Sequence, residues 1–173
     1  MREPQAALQG DLTTLRPATA ADADRLVRWH EDPDVARYWD DETYTREEML
    51  LRLARPDVDA YVIEKDGVPI GFIQAWFEDD PTKPCGLDMF LIPAARGAGL
   101  GPDAARTLAD RLLGASQDQR LTVDPYLSNE VAIRAWGRAG FQPVEEREAD
   151  DEHPGGPWLL MVFDRSTVRP ASR

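Results

Sequence analysis

Hydrophobic and polar positions along this chain switch repeatedly between a period of two and a period near 3.6, which predicts short strands interleaved with amphipathic helices. Asp11 to Arg16 predicts a first strand. Thr19-Ala20-Ala21-Asp22 is a helix-start signal, and Ala23, Leu26, Val27 and His30 then share one helical face. A second helix is opened by the capping box Thr45-x-x-Glu48 and carries Met49, Leu50 and Leu53. Tyr61 to Lys65 and Val68 to Phe77 flank Asp66-Gly67, the dipeptide that suits the primed turns of hairpins. An acidic, proline-containing loop follows from Glu78 to Pro84.

The second half is a strand at Leu87 to Ile92, a glycine-rich turn, and a helix from Pro102 to Leu113 whose inner face is Ala104, Ala105, Leu108 and Leu112. Arg120 to Val123 predicts a short strand, and Ser128 or Asn129 caps a helix bearing Ala132, Ile133, Trp136 and Ala139 that Gly140 ends. Phe141 to Arg147 and Trp158 to Phe163 are the last strands, joined by a polar turn around Pro154-Gly155-Gly156-Pro157. This pattern is expected to fill one domain over residues 11–164, between flexible ends at 1–10 and 165–173.

Composition narrows the function. With 42% hydrophobic and 30% charged residues in a 173-residue chain, a soluble α/β domain is expected. No apolar run is long enough to cross a membrane, and Met1 to Gly10 lacks the layout of a signal peptide, so a cytoplasmic location is expected. A net charge of −12 argues against a nucleic-acid partner and favours a cationic small molecule or basic peptide. The single cysteine, Cys85, rules out an internal disulfide, and His30 and His153 lack metal-ligand spacing, so no metal site is expected.

Arg96-Gly97-Ala98-Gly99-Leu100-Gly101 lies where a strand passes into a helix, a place where bare N–H groups meet the positive end of a helix dipole. It lacks the Lys-Ser/Thr ending of a nucleoside-triphosphate loop and the spacing of a dinucleotide fingerprint. It reads as an anion cradle of another kind.

The order of elements, with Leu91-x-Pro93, Arg96-x-x-Gly99-x-Gly101, and Asn129-x-x-Ala132-Ile133-Arg134 through Ala139-Gly140-Phe141, resembles the GNAT superfamily of N-acetyltransferases. The resemblance implies a mixed, mostly antiparallel twisted sheet of about seven strands with about four flanking helices. It implies acetyl-CoA as acyl donor, held by Phe90, Leu91, Ile92, Arg96, Gly97, Ala98, Gly99, Leu100, Gly101, Asn129, Ala132 and Trp136. Pro69-Ile70-Gly71-Phe72-x-Gln74, Leu87-Asp88-x-Phe90-Leu91 and Thr122-x-Asp124-Pro125-x-x-Ser128-Asn129 are similar to the aminoglycoside 6'-N-acetyltransferases. Siderophore-type lysine or hydroxylysine acyltransferases share much of the frame, and a non-catalytic acyl-CoA-binding module is a further reading.

Acetyl transfer needs an unprotonated amine, and an alkylammonium with a pKa of about 10.4 must give up its proton to a base. The resemblance implies that Asp88, a carboxylate inside an apolar strand, is that base. Asp124, at the carboxyl end of its strand, is expected to bind a second ammonium. Gln74 could meet a sugar hydroxyl, Trp39 could wall a cation pocket, and Asp79, between Glu78 and Asp80, could add negative field at its mouth. Trp136 stands where many family members carry a tyrosine that protonates the leaving thiolate, which leaves Tyr126 or water for that step. A monomer or homodimer is expected.

Overall fold

The computed structural model describes residues 6–39, 43–80, 82–115 and 119–167. Residues 1–5, 40–42, 81 of the acidic loop, 116–118 and 168–173 lie outside the described residues.

Local chemistry sets the first half of the chain. Asp66 (φ 51°) and Gly67 (φ 77°) both take the positive φ of a primed turn and join β3 (Val58–Lys65) to β4 (Val68–Trp76), the antiparallel hairpin at the centre of the sheet. The Thr45 capping box is closed on both sides: Glu48 N donates to Thr45 Oγ1 at 3.2 Å, and Thr45 N donates to Glu48 Oε2 at 2.7 Å. It opens α3 (Arg46–Leu53). The helix after Thr19 begins as a 3-10 turn and becomes α1 (Ala23–His30). A four-residue helix, α2 (Pro33–Ala36), follows; it is missing from the sequence reading although Asp32 caps it and Pro33 fills its first position.

Among the described residues the sheet has eight strands in the order β1-β2-β3-β4-β5-β6-β8-β7, one more than expected. The addition is β1 (Leu8–Gln9), paired with β2 (Thr14–Pro17), which itself starts later than Asp11. Three backbone amides, those of Asp11, Leu12 and Thr13, donate to the buried Asp103 carboxylate at 2.9–3.1 Å, which fixes the β1–β2 bend against the helix carrying Asp103. All neighbouring strands are antiparallel except β5 (Cys85–Leu91) and β6 (Leu121–Val123), which are joined through α4 (Leu100–Ala115). α5 (Glu130–Ala139), β7 (Phe141–Arg147) and β8 (Trp158–Phe163) complete the chain.

Helices cover both faces. Alanines 104, 105 and 109 and Leu108 of α4 bring that helix close to the sheet, and with Trp136, Leu87 and Phe141 they form the larger core. Across the sheet, Leu26, Val35 and Met49 from α1, α2 and α3 pack on Ala60, Phe72 and Phe90. His30 is buried in this second core, its Nδ1 2.7 Å from Leu26 O and its ring edge-on to Trp39, Tyr44 and Phe90, as its apolar helical face predicts.

One feature of the sheet positions the site. β5 and β6 pair only at Cys85↔Leu121 and Gly86↔Thr122. Beyond Gly86, β5 keeps β4 on one side, Gln74 standing opposite Asp88, but has no strand partner on the other among the described residues. The parallel strands therefore diverge toward their carboxyl ends and leave an opening in the sheet.

Candidate active site

A cleft of about 1210 Å³ occupies this divergence, lined by β5 from Leu87 to Leu91, the turn into α4, the residues after β6 and one face of α5. One wall is backbone. Gly97 (φ 85°) and Gly99 (φ 76°) hold the left-handed conformation that side chains resist, and both line the cleft. The first helical hydrogen bond of α4 is Asp103 N to Gly99 O, so the N–H groups of Leu100 and Gly101 point out of the helix end without an acceptor among the described residues. Pro102, third in the helix rather than first, has no N–H to leave unsatisfied. Gly101 lies inside the helix, and a Cβ there would stand 3.4 Å from Met89 Cε: it brings α4 close to β5 rather than supplying a turn.

Arg96 donates from Nε to Leu91 O at 3.0 Å and from a terminal nitrogen to Asp34 O at 3.3 Å, tying the end of β5 to α2. With Arg134 and Arg138 of α5 it gives this side of the cleft positive charge in an otherwise acidic chain. Asn129 caps α5, accepting from Ala132 N at 3.2 Å, and Ala132 and Trp136 line the cleft. Trp136 is 5% exposed and packs edge-on to Phe141 at 5.2 Å.

The other wall is made of side chains. Asp88 shares the α1–α3 face of β5 with Phe90. Its Oδ2 accepts a 2.8 Å hydrogen bond from Nε2 of Gln74, whose side chain is buried, so the carboxylate is aimed from the neighbouring strand. Ile92, which strict strand alternation would put on the same face, lies past the end of β5 and packs into the opposite core. Trp39 lines the cleft while packing against His30, Phe72 and Phe90.

Asp124 follows β6 and lines the cleft, with Oδ2 2.9 Å from Nε2 of His153. Asp150 holds the other ring nitrogen at 2.8 Å, and the imidazole stacks on Trp158 at 4.0 Å and 17°. The pKa of His153 is raised to about 9, first by the hydrogen bond to Asp124 and further by Asp150, against the lowering effect of burial. The Tyr126 hydroxyl accepts from Gly155 N at 3.2 Å, fastening the β7–β8 hairpin to the segment after β6.

Residues 18–149 match the family model described as Acetyltransferase (GNAT) domain. The chain belongs to the GNAT acetyltransferases. A curated relative from Serratia marcescens, aminoglycoside N(6')-acetyltransferase type 1, is 30% identical over 182 residues, 94% of this chain and 88% of the relative. The solved structure of AAC(6')-Ib in complex with Parmomycin and AcetylCoA is 27% identical, covers 94% of this chain and 100% of that one, and superposes with a TM-score of 0.76. AAC(6')-Ib with coenzyme A and kanamycin gives a TM-score of 0.73 at 27% identity, covering 89% and 95%. This GNAT chain is an N-acetyltransferase, and acetyl-CoA is its acyl donor.

Of the residues expected on the donor side, Phe90, Leu91, Arg96, Gly97, Gly99, Leu100, Gly101, Asn129, Ala132 and Trp136 line the cleft of this acetyltransferase, while Ile92 and Ala98 do not. On the amine side Asp88, Asp124, Trp39 and Tyr126 line it. Gln74 does not: it stands behind Asp88 rather than facing a sugar. Asp79 is exposed and outside the lining, where its neighbour Glu78 takes part instead. The sequence reading missed His153. Its signal, a histidine one residue before the Pro-Gly-Gly-Pro turn, shows nothing of the distant Asp124 it meets.

Proposed function

We propose that this GNAT enzyme transfers the acetyl group of acetyl-CoA to the 6'-amine of an aminoglycoside. The observation that carries the reading is Asp88, a carboxylate on the open edge of β5, aimed by Gln74 into the same cleft as the unsatisfied amides at the start of α4. The similarity to aminoglycoside acetyltransferases over most of the chain supports the substrate class.

The residues present fit the donor: amides at a helix N-terminus bind pyrophosphate oxygens, and Gly97 and Gly99 keep side chains out of their way. Acetyl-CoA supplies the activated acyl group as a thioester. Asp88 attracts the substrate ammonium and accepts one of its protons, directly or through water, so that the nitrogen lone pair is available for attack. Asp124 offers a second anion about the same cleft for another ammonium of a polycation. Trp136 cannot serve as an acid, since its indole N–H does not ionise in the usable range. Tyr126 we assign to latching the hairpin through Gly155, and protonation of the leaving thiolate to water. The reaction belongs in the cytoplasm, with acetyl-CoA and an amine as partners.

Thiol release from acetyl-CoA, measured with kanamycin, ribostamycin, a hydroxylysine derivative and spermidine, tests the reading. Turnover with the aminoglycosides and their mono-acetylation at the 6'-amine by mass spectrometry and NMR are expected. Turnover confined to hydroxylysine would instead establish the siderophore-type activity, and thiol release with no amine would contradict amine transfer.

A further inference from the structure

The β7–β8 hairpin carries a cation into the amine wall. Asp150 opens a tight turn, its Oδ1 accepting from Glu152 N at 3.0 Å and His153 N at 2.7 Å, and this turn sets His153 over the cleft. The same Oδ1 lies 2.8 Å from His153 Nδ1, and Asp124 Oδ2 lies 2.9 Å from Nε2. An ionised carboxylate only accepts, so with one at each nitrogen both nitrogens must donate, and a ring that donates twice is the imidazolium.

The surroundings hold that cation. Trp158 lies flat beneath it at 4.0 Å and donates from Nε1 to Asp150 Oδ2 at 3.2 Å. Tyr126 stands edge-on at 6.2 Å, Glu152 shares the cleft lining, and Arg147 of β7 lies 5.1 Å over the Trp158 ring. The His153 side chain is only 12% exposed, Asp124 36%. The hairpin backbone is anchored separately, by Gly155 N to the Tyr126 hydroxyl and Leu127 N to Pro157 O, so His153 can leave Asp124 without unpairing β7 from β8.

We infer that His153 is a specificity-determining residue whose imidazolium occupies, on Asp124, the place of a substrate's second ammonium group, so that a polycationic amine binds by exchanging this internal cation for one of its own. The inference rests on the aminoglycoside reading for the displacing ligand. A monoamine that engages Asp88 alone leaves the His153–Asp124 pair intact. A polyamine must break it, and the affinity of its second ammonium is reduced accordingly. The pair thus tunes how strongly the cleft distinguishes polyamines from monoamines, and a ligand with a rigidly placed second amine exchanges more readily than a flexible one.

His153→Gln keeps a hydrogen-bonding group opposite Asp124 but removes the charge. Calorimetry on the full chain is expected to show kanamycin bound about fivefold more tightly by this variant, the scale of one partly exposed ion pair, with cyclohexylmethylamine unchanged. In the wild type, the ring resonances of His153 should shift on saturation with kanamycin and stay in place with cyclohexylmethylamine. A folded His153→Gln protein, judged by circular dichroism, that binds kanamycin equally or less well while still acetylating it would overturn the inference and leave the proposed function standing. If kanamycin is not acetylated at all, the proposed function fails, and spermidine becomes the displacing probe: movement of the His153 ring upholds the exchange and a stationary ring refutes it.

Discussion

The two walls of the cleft are built from different material. The donor wall is built around backbone: two glycines at positive φ and the amides of a helix start within residues 97–101, flanked by Arg96 and one face of α5. The amine wall is side chains from β4, β5, the segment after β6 and the β7–β8 hairpin, where Asp88 depends on Gln74 and Asp124 on His153. Backbone recognises what every CoA ester shares, while side chains recognise what differs between amines. Function can change on one wall without disturbing the other, and substitutions should separate accordingly.

The largest effect is expected from Asp88→Asn, nearly isosteric but unable to accept a proton at neutral pH. Turnover should fall by about 10²- to 10⁴-fold while the dissociation constant of acetyl-CoA stays within about twofold. Steady-state kinetics beside calorimetry would check it, and a variant close to wild-type turnover would make Asp88 structural.

On the other wall, Gly99→Val should weaken acetyl-CoA binding by about tenfold or more, because a β-branched residue resists φ of 76° and so disturbs the turn that sets the amides at the start of α4. Gly101→Ala is expected to do less. Its φ is ordinary, and the methyl meets the flexible end of Met89. Equal losses in both variants would mean that α4's fit to β5, rather than the cradle, governs donor affinity.

Gln74→Leu sharpens the amine side. It removes the donor that aims Asp88, and turnover should drop by about tenfold, with KM for the amine changed less than kcat. A change in KM alone would return Gln74 to direct substrate contact.

The smallest effect concerns pH and stability. The folded pKa of His153, about 9, lies above its ordinary value, so the pair with Asp124 contributes fully below pH about 6.5 and its contribution is lost as pH rises through 9. The urea midpoint should decline over that window in the wild type and be flatter in His153→Gln.

The anion cradle of the donor wall was legible in the sequence because contiguous residues make it. Gly97, Gly99 and the strand and helix around them announce a cradle, although the start of α4 fell two residues early and Gly101 proved to be a packing glycine. The helix caps and the Asp66-Gly67 turn were legible for the same reason. Asp88 could be singled out as a charge in an apolar strand. Gln74's task was not legible, since it depends on the β4–β5 register that sets residue 74 against residue 88. Nor was His153, 29 residues from the aspartate it pairs with, or α2, whose four residues leave no periodic pattern.

The division of the cleft is tested most directly by measuring coenzyme A and kanamycin binding, each by calorimetry, to the same two proteins, Gly99→Val and Asp88→Asn. The account predicts a crossed result: Gly99→Val loses coenzyme A affinity and keeps kanamycin, and Asp88→Asn loses kanamycin affinity and keeps coenzyme A. Loss of both ligands together in either folded variant would contradict it.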